Sequence, residues 1–134
     1  MKNKSKKILS EVSPGELLDK ISILEIKLIK ISDKISQEEI KKEYKILKDA
    51  QNLHIDQTDK IKKLYNELKE VNLSLWIIED KLRICEKNED FGNEFIELAR
   101  GVYLNNDKRS KIKLEINKLL ESNIREIKQY VDYS

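Results

Sequence analysis

The sequence predicts an all-α protein: an antiparallel helical bundle built on a long, coiled-coil-like helical hairpin. Only three glycines and one proline occur among 134 residues, and residues that favour helices are abundant. Apolar side chains recur at alternating intervals of three and four residues over long stretches, which is the period of one helix face. The length fits a single helical domain over residues 1–134, whose basic segment 1–12 we expect to be partly flexible.

The first helix has a clear start signal. Ser13 is placed to cap it, Pro14 occupies the first helical position, and Glu16 completes a capping box. An apolar stripe then continues from Leu17 to Ile35 in steps of four and three residues. We expect this helix to be covered on two sides over part of its length, because a second set of apolar residues flanks the stripe.

A second helix is predicted from near Ser36, where Glu39 would form another capping box, to near Gln51. Residues 52–58 lack helical periodicity and are expected to form a connection. His54, the only histidine, falls in that connection. Since a metal site needs several converging ligands, we interpret His54 as a surface residue.

The third helix is the longest, because its apolar stripe keeps the same spacing from Ile61 to Cys85. Cys85 lies on that stripe and is expected to be a small buried hydrophobic residue. Residues 87–92 form a break, after which a fourth helix extends over about 93–120. Such a short break predicts that the third and fourth helices form an antiparallel hairpin.

A short last helix is predicted after Ser122, which would cap it. Its apolar face would consist of Ile124, Ile127 and Val131. Tyr130 and Tyr133 near the end are expected to pack back on the bundle.

Charge and composition restrict the partners and the compartment. Lys and Arg total 27 against 25 for Asp and Glu, a net charge of +2, which gives no support to a nucleic-acid partner. The sequence contains no run of about 18 apolar residues, we expect no signal peptide because no apolar stretch follows the first lysines, and the single Cys85 suits a reducing compartment. We therefore interpret the protein as cytoplasmic, with no membrane partner.

The apolar stripe of the fourth helix is broken at two positions, Asn105 and Arg109. Every other stripe position from Phe95 to Leu119 is apolar. Burying an amide or a guanidinium is unfavourable unless it has partners. The two residues therefore mark the place where we expect the helix to contact polar partners rather than only apolar side chains.

Folding the hairpin brings further polar residues to this place. If the turn centres near Asp90, then Trp76 lies near Asn105, and Arg83 lies near Glu97. The candidate ligand-binding residues are those that this pairing gathers: Trp76, Glu79, Asp80, Arg83, Glu97, Arg100, Tyr103, Asn106, Asp107 and Arg109. Asp19 and Lys20 of the first helix are further candidates to reach this cluster.

The cluster suits an anionic small molecule such as a nucleotide or a sugar phosphate. The arginines could hold a phosphate or carboxylate in bidentate geometry, and Trp76 and Tyr103 could stack on a ring. Two alternatives need no ligand. The cluster could be a structural ion-pair network that sets the helix register, and the stripes could form the interface of a homo-oligomeric scaffold.

A third alternative is a Mg²⁺-dependent nucleotide phosphohydrolase. Glu94 and Glu97 have the ExxE spacing of carboxylate-rich helical sites, but no matching acidic pair stands on the facing part of the third helix. HExxH, a glycine-rich phosphate loop, a Ser-His-Asp set and CxxC are also absent from the sequence. We therefore favour a non-catalytic protein and predict no catalytic residue, metal ligand or cofactor.

Three long strings resemble an uncharacterised family of small, all-helical bacterial and phage proteins, a domain of unknown function. They are SPGELLDKISILEIK (Ser13–Lys27), NLSLWIIEDKLRICE (Asn72–Glu86) and FIELARGVYLNNDKRSKIKLEIN (Phe95–Asn117). The resemblance leaves out residues 33–70, and its last piece consists of Glu126, Lys128, Tyr130 and Tyr133. It implies an all-α single domain and no particular activity.

Overall fold

The computed structural model describes residues 6–133, and the predicted all-α fold is confirmed there. The chain forms four helices and no strand within these residues: α1 (Pro14–Lys30), α2 (Lys34–His54), α3 (Asp59–Lys87) and α4 (Asn93–Leu119). α3 and α4 pack along each other as the predicted hairpin. Gly101 of α4 faces Ile78 of α3, which agrees with a turn centred near Asp90.

The predicted start of the first helix is confirmed. The Ser13 hydroxyl accepts a hydrogen bond from the Glu16 backbone N–H at 3.2 Å, which satisfies one of the free donors of the first turn. Cys85 is buried on α3, as its place on the apolar stripe predicts.

The boundary between α1 and α2 was predicted wrongly. α1 ends at Lys30, and Ile35 belongs to α2, where it is 73% exposed. The cap of α2 is Asp33, whose carboxylate accepts the Ser36 backbone N–H at 2.9 Å, so α2 begins before Ser36. An Asp at an N-cap ends the preceding helix even when the apolar spacing continues across it.

Two further boundaries differ from the prediction. α2 extends to His54, so this exposed histidine lies in its last turn, and the connection to α3 is only residues 55–58. The predicted last helix is absent, since the chain after Leu119 is non-helical up to residue 133. Ile127 and Val131 are 82% and 84% exposed. The predicted helical face therefore buries nothing that would hold a helix together.

The hydrophobic core lies at the end of the hairpin away from its turn. α1 packs against each of the other three helices there. The core residues come from α1, from the α2–α3 connection and from the base of the hairpin: Leu17, Leu18, Ile21, Ile55, Ile61, Leu64, Leu68 and Ile116. This packing places one face of α1 directly on α4, next to the two polar breaks.

The ends of the chain add little to the core. Of the predicted basic segment 1–12, residues 1–5 lie outside the described residues, and residues 6–12 are exposed and not helical. Among residues 6–133, no helix combines the length and the apolar character that crossing a bilayer requires.

Candidate functional site

A buried carboxylate stands at the centre of the polar cluster. Asp19 of α1 is 1% exposed, and both of its oxygens accept hydrogen bonds from the Arg109 guanidinium, one of them from Nε at 2.9 Å. The Asn72 side-chain amide donates to Asp19 Oδ1 at 2.9 Å and to the Ser22 hydroxyl at 2.8 Å. The bidentate pair explains why the α4 stripe can carry an arginine.

Lys113 lies one turn beyond Arg109 on the same face of α4. Its side chain is only 9% exposed, and its Nζ is 2.8 Å from Glu16, 2.9 Å from Glu126 and 3.9 Å from Asp19. Burial by itself would lower the pKa of Lys113, but the hydrogen bonds that its ammonium donates to Glu16 and Glu126 outweigh burial and raise the pKa. Lys113 therefore carries a charged ammonium group that is almost completely shielded from solvent.

Close contact between α1 and α4 holds these groups together. The backbone N–H of Gly15 donates to the side-chain oxygen of buried Asn117 at 2.7 Å. A Cβ at Gly15 would stand 2.6 Å from the backbone oxygen of Lys113. Only glycine permits this approach. The contact brings the first turn of α1, with Glu16 and Asp19, onto the Arg109 face of α4.

The segment after α4 folds back along that helix. The Tyr133 hydroxyl donates to Asp107 at 2.6 Å, and its ring meets the Tyr103 ring edge to face at 5.4 Å. Lys128 lies 3.4 Å from the same carboxylate. This confirms that Tyr133 packs back on the bundle, and it adds Glu126 and Lys128 to the cluster.

The hydrogen bond between Tyr133 and Asp107 shifts the pKa of both groups. The Asp107 carboxylate raises the pKa of Tyr133 to about 12, and the same bond lowers the pKa of Asp107. Because the pKa of Tyr133 is raised, its protonated hydroxyl stabilises the fold. This stabilisation is fully present below the ordinary tyrosine pKa and is lost as the pH rises through about 12. Because the pKa of Asp107 is lowered, its carboxylate stabilises the fold above the ordinary Asp pKa, and this stabilisation is lost in acid. The attachment therefore persists across the neutral range.

These groups surround a cleft of about 420 Å³ that opens to solvent. Three cationic side chains line it, namely Arg109, Lys113 and Lys128. Two acids and two neutral polar residues complete the wall: Glu16, Glu126, Asn106 and Ser110. An almost entirely polar wall of this kind suits a charged, hydrophilic molecule.

The structure brings some of the sequence-predicted site residues together here. Arg109 and Asn106 line the cleft, Asp107 holds the C-terminal segment beside it, and Asp19 anchors Arg109. Asn105 does not take part, because its side-chain amide donates to the Gly101 carbonyl of its own helix at 2.8 Å. Of the two breaks in the stripe, only Arg109 marks the site.

The other predicted residues lie elsewhere on the hairpin. Arg83 pairs with Asp80, and Arg100 pairs with Glu97, both at 3.0 Å, within one helix turn and exposed to solvent. Exposed ion pairs of this kind contribute little to the stability of the fold. Glu79 and Lys20 are exposed, Trp76 is half-buried, and Tyr103 carries the ring contact with Tyr133.

Sequence reasoning missed four contributors to the site, namely Glu16, Lys113, Glu126 and Lys128. Helical spacing could have indicated two of them. Lys113 follows Arg109 by four residues and Glu16 precedes Asp19 by three, which puts each on the same helix face as a recognised residue. Glu126 and Lys128 lie in a non-helical segment, for which no such periodicity exists.

The ExxE spacing of Glu94 and Glu97 does not build a metal site. Both residues are exposed near the start of α4. Over the described part of the chain, no three His, Cys, Asp or Glu side chains come together in a way that could hold a metal ion.

A family model described as a family of unknown function (DUF6165) matches residues 8–133. The chain belongs to this family. The match includes residues 33–70, which the sequence resemblance left out, and it also covers every residue of the Asp19–Arg109–Lys113 cluster. No curated protein and no solved structure matches the chain. Since the DUF6165 description carries no activity, the function has to be inferred from the site.

Proposed function

We propose that this protein is a non-catalytic binding protein whose cleft between α1, α4 and the C-terminal segment holds a small anionic molecule. The observation that supports it is the convergence of Arg109, Lys113 and Lys128 on one cleft. Arg109 uses Nε and Nη2 on Asp19 and remains 30% exposed, so further N–H groups of its guanidinium are available. Phosphate and carboxylate groups are the natural acceptors for such donors.

The wall of the cleft favours a sugar phosphate over a nucleotide. Its volume of about 420 Å³ falls in the range of small-molecule sites, roughly 300–1,000 Å³. Ser110 and Asn106 offer neutral hydrogen-bonding groups suited to hydroxyls. Trp76 and Tyr103, which the sequence suggested for stacking on a ring, are not among the residues that line it.

Replacing Lys113 with methionine is expected to weaken binding of a sugar phosphate at least tenfold, because it removes the most enclosed cation of the cleft. Isothermal titration with glucose 1-phosphate and with inorganic phosphate measures this. Since Lys113→Met also leaves Glu16 without its partner, the exposed Lys128→Gln provides a second variant, for which a smaller loss is expected.

Arg83→Gln is the matched control, because it removes a cation from the exposed end of the hairpin without touching the cleft. The affinity of this variant for glucose 1-phosphate and for inorganic phosphate should equal that of the unmodified protein. The proposal fails if neither compound binds, or if binding survives unchanged in both the Lys113 and the Lys128 variants. A bound ligand should also raise the melting temperature in proportion to its concentration.

A homo-oligomeric scaffold is the second candidate. Leu73, Ile77 and Ile84 are 38%, 41% and 58% exposed and recur at helical spacing on one face of α3. Three partly exposed side chains fall well short of the roughly 800 Å² per partner of a stable interface, so only weak self-association is expected. Light scattering at rising concentration tests this, with Ile77→Asp expected to abolish it. A strict monomer at millimolar concentration would rule it out.

A further inference from the structure

The three acids around Lys113 are held in different ways. Glu16 and Asp19 belong to α1 and are fixed by its packing on α4. Glu126 belongs to the non-helical segment after α4, and its side chain is 56% exposed. Its carboxylate nevertheless approaches Lys113 Nζ as closely as 2.9 Å. Another anion can therefore take the place of Glu126 beside Lys113 without disturbing a helix.

The segment is attached on both sides of Glu126. On one side, the Asn123 side chain donates to Glu11 at 2.7 Å. On the other side, Lys128 and Tyr133 hold Asp107. Every residue from 123 to 133 is exposed, so the contacts are polar and little apolar area is buried. Such a stretch can open locally at low free energy while its two attachments persist.

Glu126 also separates two spaces. Together with Glu16 it lines the 420 Å³ cleft and a second cleft of about 280 Å³ on the side of Glu11 and Ile124. An outward movement of the 124–127 stretch would open the wall between them. The room next to Lys113 then increases without any change in the helices.

The charges in the cleft indicate why this matters. Three cations, Arg109, Lys113 and Lys128, face four carboxylates, those of Asp19, Glu16, Glu126 and Asp107, the last of which pairs with Lys128. With Glu126 in place, carboxylates exceed cations by one, which opposes the approach of an anion. Without Glu126, three cations and three carboxylates balance, and one acceptor position on Lys113 is free.

We propose that Glu126 is an internal competitor for the ligand: its carboxylate occupies the position on Lys113 that the ligand's phosphate takes, and binding displaces the 124–127 stretch outward. This inference rests on the proposed anion-binding function. A carboxylate and a phosphate offer Lys113 the same charge-assisted acceptor oxygens, and a phosphate brings an additional charge and oxygen for Arg109 and Lys128. The measured association constant is then the intrinsic constant multiplied by the fraction of molecules in which Glu126 has left the position.

The test uses Glu126→Gln, which keeps the shape of the side chain and removes its charge. Inorganic phosphate should bind this variant about three- to tenfold more tightly than the unmodified protein, because the competing carboxylate is gone. The distance between spin labels attached through cysteines that replace Ile127 and Lys118, both exposed, should lengthen on adding phosphate to the otherwise unmodified protein. In the Glu126 variant this distance should already be long without phosphate.

Glu115→Gln is the matched control, since it removes an exposed acid from α4 outside the cleft and changes the net charge equally. It should leave the affinity unchanged. If the unmodified protein binds phosphate through Lys113 but Glu126→Gln binds it equally or more weakly, the competitor role is overturned and the binding function stands. If phosphate binds only the Glu126 variant while glucose 1-phosphate still binds the unmodified protein, the competitor role is supported; if the unmodified protein binds neither compound, the proposed function and the competitor role both fail. If phosphate binds neither protein, the competitor role falls.

Discussion

Replacing Asp19 with alanine should destabilise the protein by about 3 to 5 kcal/mol, the range for removing one partner of a buried ion pair. Asp19 is 1% exposed and is held by both Arg109 and the Asn72 amide. Its loss would leave the guanidinium half-buried without its carboxylate and would also remove a nearby negative charge from Lys113. The penalty comes mainly from the cations that stay behind.

Urea denaturation monitored by circular dichroism measures the change, provided that the slope of the transition is unaltered. Asp80→Ala is the control, because its exposed pair with Arg83 should contribute only about 0.2–1 kcal/mol. The double variant Asp19→Ala with Arg109→Leu should recover part of the loss, since it removes the unpaired charge. A loss below about 1 kcal/mol in Asp19→Ala would contradict the assignment of a buried, mutually dependent pair.

Replacing Gly15 with alanine should cost about 2 to 4 kcal/mol, because the new methyl group has no space. A Cβ at this position would lie 2.6 Å from the backbone oxygen of Lys113 and 2.8 Å from the Asn117 side-chain oxygen. One of these atoms is backbone within α4, and the other is the buried acceptor of the Gly15 N–H. Relief requires α1 to move away from α4, which would also loosen the Asp19–Arg109 pair.

Gly101→Ala is the matched control for this substitution. Its Cβ would meet only the side chain of Ile78, with Cδ1 at 3.0 Å and Cγ1 at 3.9 Å, and the end of this flexible side chain can turn aside. Alanine within a helix is intrinsically favoured over glycine by up to about 1 kcal/mol. Thermal unfolding should therefore show a large decrease for Gly15→Ala and little change or a small increase for Gly101→Ala. Equal decreases in both would show that general helix packing, rather than the close approach at Gly15, sets the cost.

Local patterns were sufficient for much of the fold. The cap at Ser13, the long stripe of α3 and the short break before α4 each depend on neighbouring residues, and the structure agrees with all three. The end of α1 was missed because the apolar spacing continues to Ile35, whereas the Asp33 cap decides the boundary. Where a spacing and a cap disagree, the hydrogen bond to the free backbone N–H groups prevails.

The segment after α4 shows the limit of periodicity. Ile124, Ile127 and Val131 have helical spacing, but they have no apolar surface to cover, and the chain there is held by Asp107 through Tyr133 and Lys128. A spacing predicts a helix only if a partner surface exists to bury its face. Nothing in the local sequence reports that surface.

The amino-acid pattern was enough to establish an all-helical hairpin and to identify Arg109 as a polar residue facing inward on α4. Its partner could not be read from the pattern, because Asp19 lies 90 residues away and reaches it only through the crossing of α1 at Gly15. The arrangement of Lys113 between Glu16 and Glu126 likewise depends on three separate parts of the chain. Helical periodicity records which face of a helix is buried, whereas the pairing of charges across helices depends on the packing that brings those faces together.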